Sequence, residues 1–210
     1  MNNMNLIDSL IQQDWLKTPR IIKAFKKIKR VDFMAKGMDD LSELNQAFPI
    51  GHGQTISQPL TVAFMMEKLQ PKIGDKVLDI GSGSGWTTAL LSEIIGQKGK
   101  VVAIEIISEL VEFGKNNIAK YGFVEKGIAQ FICGDGSKGF KKESPFDKIL
   151  CSAAIYGKFP KAWKDQLKIG GRIVTPIDSS IWLLVKKTKN EFEETEYPGF
   201  AFVPLVGKKL

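Results

Sequence analysis

"VLDIGSGSGWTTALL", residues 77–91, decides the fold. An apolar run ends on Asp79-Ile80, glycines follow at Gly81, Gly83 and Gly85, and from Trp86 the pattern predicts a helix to Ile95. Strand, tight turn and helix in direct succession form the unit of a parallel α/β sheet. The turn aims backbone N–H groups and the positive end of the helix dipole at whatever binds there. A dinucleotide fingerprint, G-x-G-x-x-G, would need its third glycine where this chain has Trp86. Asp79 would repel a pyrophosphate and welcome an ammonium group. S-adenosylmethionine, with an amino group, a sulfonium and no phosphate, fits that charge.

Downstream, the same alternation continues. "KVVAIEI" (100–106) reads as a second strand, and Ser108 is expected to cap a helix to Tyr121, with Gly122 just beyond. "AQFICGDG" (129–136) and "FDKILCSAA" (146–154) give further strands, a short helix spans about 161–168, and "RIVTPI" (172–177) precedes a final hairpin over 180–207. Such alternation predicts a mostly parallel sheet with helices on both faces and a ligand beyond the strands' carboxyl ends. Glu105 at one strand end can accept from both ribose hydroxyls, and Asp135, before Gly136, from the adenine amino group. Upstream, Leu6, Ile7, Leu10, Ile11 and Trp15 suggest an amphipathic helix over about 4–16. A second helix follows Thr18-Pro19, with Ile21, Ile22, Phe25 and Ile28 buried and Lys23, Lys26, Lys27 and Arg30 sharing a solvated face. Residues 31–57 read as a long ordered loop or partly irregular lid, and Pro59 opens a helix to Leu69.

The chain has 210 residues, 43% hydrophobic and 25% charged, as expected of one folded domain: 1–70 as helical extension and substrate loop, 71–210 as cofactor-binding core. Neither a leader nor a membrane-spanning run is evident, so a cytoplasmic protein is expected. Cys133 and Cys151 lie in apolar runs and are expected as buried reduced thiols; with a single histidine, no metal site is expected. The net charge of +7 would suit nucleic acid, but arginine is scarce among the basic residues, which argues for solvated lysine faces.

The methyl acceptor is read partly by elimination. No Asn/Asp-Pro-Pro-aromatic run for amino methylation follows the fourth strand, Cys151 lacks the proline that precedes a cytosine-directed nucleophile, and little histidine is present for alcohol or phenol acceptors. A carboxylate, ionised at neutral pH with a pKa near ~4, needs only positioning by hydrogen-bond donors. "GHGQTISQPL" (51–60) offers Thr55, Ser57 and Gln58 as donors ahead of a helix, and Gly51 and Gly53 would let the backbone approach a ligand. Ser57 as a plain helix cap and His52 as a structural loop residue are the competing readings.

"FPIGHGQTISQP", "VLDIGSGSGWTTALL", "GDGSKGF", "PFDKILCSAA", "QLKIGGRIVTPI" and "FVPLVG" stand in the order and spacing of the protein-L-isoaspartate O-methyltransferases, which the chain resembles from about Arg30 to Gly207. The resemblance implies a Rossmann-like seven-stranded S-adenosylmethionine-dependent methyltransferase sheet with an N-terminal helical extension. It also implies an altered order of the last strands, with the final hairpin near the cleft. The implied activity is repair: methylation of the α-carboxylate of isoaspartyl residues in damaged proteins, leaving S-adenosylhomocysteine. By position, Ser57 would hold the acceptor carboxylate, with Gln54, Thr55, Ile56 and Gln58 around it; Asp79, Gly81, Ser82, Gly83, Gly85, Glu105, Ile106, Asp135 and Gly136 would hold the cofactor. The chain departs from the family pattern in "SELNQAF" (42–48), at Ile155–Phe159, in "SSIWLLV" (179–185) and at Ile106, mainly around substrate and adenine contacts. The expected partner is an isoaspartyl peptide or protein bound by a monomer, without membrane or nucleic acid. Rival readings are an RNA methyltransferase using the lysine-rich face of 17–30 and a non-catalytic S-adenosylmethionine-binding module.

Overall fold

A computed structural model describes residues 5–207. Helix α1 (Leu6–Gln12) starts where the Asn5 side chain accepts from the Asp8 amide at 2.9 Å. It ends earlier than its apolar pattern predicts, because Asp14 turns the chain with a φ of 64°. Helix α2 (Pro19–Lys27) buries Ile21, Ala24 and Phe25. Thr18 stands at its cap, yet its hydroxyl donates to Glu67 at 2.6 Å instead of capping. Lys26 pairs with Asp8 (3.8 Å) and Lys27 with Glu93 (2.8 Å). Arg30 does not join that solvated face: the helix ends at Ile28, and a 3-10 turn over Arg30–Phe33 carries the guanidinium inward, leaving it 7% exposed.

The predicted irregular lid holds more order than its sequence suggests. After a 3-10 turn at Asp39–Leu41, β1 (Phe48–Gly51) and β2 (Gln54–Ile56) form an antiparallel hairpin. Its tip, Gly51-His52-Gly53, has φ of 92°, 53° and 70°. No protein atom lies within 4 Å of where a side chain on either glycine would begin, so within the fold they serve the left-handed turn. Helix α3 (Pro59–Leu69) follows and stops at left-handed Gln70 before Pro71.

The core alternates as expected: β3 (Lys76–Ile80), α4 (Trp86–Ile95), β4 (Lys100–Glu105), α5 (Ser108–Ala119), β5 (Ala129–Cys133), β6 (Phe146–Cys151), α6 (Lys161–Gln166), β7 (Leu167–Ile177), β8 (Ser180–Lys186) and β9 (Phe192–Pro198). Ser108 is not the cap of α5. Ile107 holds that position, and the Ser108 hydroxyl donates to Glu109. The seven-stranded sheet runs β5-β4-β3-β6-β7-β8-β9, with parallel pairing through β7 and antiparallel pairing beyond. The last three strands follow chain order, so β9 becomes the edge on the side of the chain's end.

Strand residues alternate between two apolar layers. Val77, Val101, Ala103, Leu150 and Val174 face a layer shared with α1–α5; Leu78, Ile80, Val102, Ile104 and Ile149 face the other with Trp163 of α6. Among the described residues no helix is long and apolar enough to cross a membrane, and no cluster of three metal-ligating side chains occurs. Cys151 is buried, and burial pushes its thiol pKa up to about 12. Cys133 is exposed, against expectation, because it ends the sheet's other edge strand.

Candidate active site

The glycine turn sits at the carboxyl edge of β3, where the crossover between β4 and β6 leaves a crevice. Gly81, Gly83 and Gly85 all have positive φ, at 72°, 49° and 86°. The Gly81 and Ser82 amides both donate to the Ile104 carbonyl (2.8 and 3.2 Å), which fastens the turn to β4. Gly85 begins α4 in a left-handed conformation, and a Cβ there would come within 3.0 Å of the Gly114 carbonyl oxygen. Helix α5 therefore packs directly on the turn.

Asp79 lies wholly buried beneath it. Its Oδ2 accepts from the hydroxyls of Thr87 (2.9 Å) and Thr88 (2.7 Å). Burial, reinforced by the Glu105 charge and opposed by those two hydroxyls, raises its pKa to about 6. Glu105 borders the cleft; its Oε2 accepts from the Gly83 amide (3.0 Å) and its Oε1 from Ile106 (2.8 Å) and Ile107 (3.0 Å). Oε1 is occupied by its two amides, whereas Oε2, with a single donor, retains acceptor capacity. Asp135 caps the 3-10 turn Gly136–Lys138, its Oδ1 accepting from the Ser137 amide and hydroxyl. Its side chain does not border the cleft; Gly134 and Gly136 do. A Cβ on Gly136 would collide with Ile80, so only glycine fits there.

These elements surround a cleft of about 280 Å³. Of the predicted cofactor residues, Gly81, Ser82, Gly83, Glu105, Ile106 and Gly136 border it, whereas Asp79, Gly85 and Asp135 form its backing. Three polar atoms buried here lack a protein partner: Asp79 Oδ1, Ser82 Oγ and Trp86 Nε1. Buried polar atoms are rarely left unpaired. One carboxylate oxygen with a hydroxyl and an indole N–H matches an amino acid's ammonium and carboxylate, and Ile80, Ile104 and Leu205 supply apolar walls for a nucleoside. The residues present fit S-adenosylmethionine. Sequence reasoning missed Trp86 and Thr87 as cleft residues and Thr88 as a partner of Asp79; it expected the final hairpin near the cleft without singling out the strap Val203–Val206 that closes one side. The strap docks on Ala154, whose amide donates to Val203 and whose carbonyl accepts from Leu205, both at 2.8 Å. The "FVPLVG" motif was its only sequence signal.

On the acceptor side, Gln54, Thr55, Ile56 and Ser57 border the cleft, and Thr55, Ser57 and Gln58 border a groove beside it, walled by Gly199–Val203. Ser57 does not cap α3, since Gln58 occupies that position without a side-chain bond. His52 is exposed at the hairpin tip, at the rim. Ile50 packs toward Gly83, 3.2 Å from where a Cβ would begin, so the hairpin rests on the cofactor turn. Arg30 fixes this region from below. Its guanidinium donates to the carbonyls of Ser42, Leu44, Gln46 and Ser57 (2.6–3.3 Å) and lies 5.5 Å from the ring centroids of both Phe48 and Trp86. Burial lowers its pKa to about 10. It remains a cation at neutral pH.

A family model described as protein-L-isoaspartate(D-aspartate) O-methyltransferase matches residues 1–210. The chain is similar to the protein-L-isoaspartate O-methyltransferase of Flavobacterium psychrophilum, 40% identical over 98% of this chain and 94% of that protein. It is also similar to that of Methanopyrus kandleri, 36% identical over 97% and 91%. In fold it is similar to a Plasmodium falciparum protein solved in complex with S-adenosyl-L-homocysteine, with a TM-score of 0.87, 21% identity, and coverage of 97% of this chain and 99% of that one.

Proposed function

The chain belongs to the protein-L-isoaspartate(D-aspartate) O-methyltransferase family, and from that membership we propose that it methylates the α-carboxylate of isoaspartyl residues in peptides and damaged proteins. S-Adenosylmethionine supplies an electrophilic methyl group when bound. The observation that carries the reading is the meeting of two spaces at Ser57: the cofactor-shaped cleft and a groove open to solvent.

The chain's own residues have a limited task. An acceptor carboxylate is already ionised at neutral pH, so no general base is required and exposed His52 need not act as one. Ser57 and Thr55 orient the carboxylate by donating hydroxyl hydrogens, while Gln54, Ile56 and Gln58 shape its approach. Ser82 and Trp86 hold the cofactor's amino-acid end with Asp79 supplying the counter-charge from beneath the turn, Glu105 holds its ribose, and Asp135 acts by fixing the turn that carries Gly136. Ile106 and the Val203–Val206 strap cover the nucleoside and keep water from the reacting atoms. In this reading the enzyme works as a cytoplasmic monomer.

Methyl transfer to an isoaspartyl peptide and to its normal aspartyl twin tests the assignment, with wild type and Ser57→Ala compared. The wild type is expected to label only the isoaspartyl peptide, and Ser57→Ala to lose most of that activity while still binding cofactor. Equal labelling of both peptides would reject the repair activity, and a fully active Ser57→Ala would remove Ser57 from the mechanism. Preferential labelling of RNA, with a steep inverse dependence on salt, would favour the rival use of the lysine-rich face.

A further inference from the structure

The cofactor cleft and the adjoining groove share a border of four residues, Thr55, Ser57, Ser152 and Val203. Three of them carry hydroxyls, and among the described residues none of these hydroxyls is engaged in a hydrogen bond; Ser57 and Ser152 are bonded only through their backbones. Any group passing from the groove to the cleft is thus framed by three uncommitted hydroxyls. Neither Lys nor Arg borders either space. A carboxylate held at this junction must therefore find its protein partners among neutral donors.

The three hydroxyls come from opposite sides. Thr55 and Ser57 belong to the hairpin and the segment after it. Ser152 follows β6 directly, its amide donating to the Ile80 carbonyl at 2.9 Å and its carbonyl carbon lying 4.0 Å from where a side chain on Gly81 would begin. It is fixed to the sheet edge beside the glycine turn. A carboxylate has two oxygens and about four lone-pair directions, and donors on one side alone leave the far oxygen free to swing about the bond to its carbon. A donor on the sheet side would stop that rotation and keep one oxygen directed into the cleft, where alignment governs the rate.

We propose that Ser152 is a substrate-contacting residue whose hydroxyl donates to the acceptor carboxylate from the sheet side, opposite Thr55 and Ser57. This rests on the carboxyl-methylating activity proposed above. A serine that merely ends a strand and is hydrated by solvent would have no influence on the acceptor.

Steady-state kinetics with an isoaspartyl peptide decides between these roles, using wild type, Ser152→Ala and Ser152→Thr, with calorimetric titration of the cofactor and thermal unfolding of each protein. Ser152→Ala is expected to raise KM for the peptide ~10-fold, the size of one hydrogen bond to a charged acceptor. Its cofactor Kd and unfolding temperature should stay at the wild-type values, and Ser152→Thr should bring KM back to within about threefold of wild type. An unchanged KM in Ser152→Ala overturns the proposal, as does equal impairment of both variants or a parallel loss of cofactor affinity. A wild type that labels no isoaspartyl peptide overturns the activity itself and this contact with it. A competent wild type beside an indifferent Ser152→Ala overturns the contact alone.

Discussion

At the scale of single residues, two buried charges carry most of what can be tested. Asp79 is a carboxyl with a folded pKa of about 6 against an ordinary value of 3.8. Between those values the folded chain binds a proton that the unfolded chain has released, so stability of the ligand-free protein falls as pH rises through that window and stays reduced above it. The effect is on the order of 3 kcal/mol. Asp79→Asn is expected to remove this pH dependence and raise the unfolding temperature at pH 8, while weakening S-adenosylmethionine binding by ~10-fold or more, because the ammonium loses its counter-charge. Unfolding curves at pH 5 and 8 with cofactor titrations check both halves, and a variant that binds cofactor normally would refute the role. Arg30 is the second charge. No lysine can reproduce its four bonds to carbonyls, so Arg30→Lys should destabilise the fold by on the order of 2 kcal/mol and raise the peptide KM through the loosened Ser57 backbone, as read by denaturant titration and kinetics. Asp79 and Glu105 were legible in the sequence because each ends a strand beside a turn. The burial of Arg30 was not, because its partners are backbone carbonyls with no side-chain signature and its spacing continues a solvated stripe.

At the scale of elements, strands β3, β4 and β6 are near-continuous apolar runs buried on both faces, which is why the sheet could be read from the sequence. The hairpin of β1 and β2 escaped the same reading. Its strands span four and three residues, one contains Pro49, and its tip is Gly-His-Gly, so no period emerges. What joins it to the cofactor turn is contact between layers: Ile50 on Gly83, and Gly85 against Gly114 of α5. A side chain at position 114 would lie 2.9 Å from the Phe131 ring and 3.1 Å from the Gly83 carbonyl oxygen. Gly114→Ala is therefore expected to displace the glycine turn, costing ~1–3 kcal/mol of stability and weakening cofactor binding without any contact to the ligand. Calorimetry on the folded variant measures this, and wild-type affinity would show that α5 is free to yield.

At the scale of the whole molecule, the two ends of the chain are tied to different parts of the core. The N-terminal helices are tied to α3 through Glu67, which accepts from the amides of Lys17 and Thr18 and the Thr18 hydroxyl, and through Arg20, which donates to Pro71 and Gln70. The far end returns as the strap on Ala154, which becomes possible because β9 finishes the sheet in chain order. Removing residues 203–210 should leave the sheet intact by circular dichroism yet raise the cofactor Kd at least ~10-fold, since one wall of the cleft goes with them. Unaltered affinity would make the strap a bystander. The exposed end of β5 offers a practical opening of another kind. The chain has two cysteines, and Cys151 is sealed from reagents with its thiol pKa near 12, so a maleimide dye should couple to Cys133 alone, at one equivalent per protein by mass spectrometry. Gly134, the very next residue, borders the cleft. Unmutated protein thus comes with an attachment point for a fluorophore whose emission would report the arrival and departure of cofactor in real time.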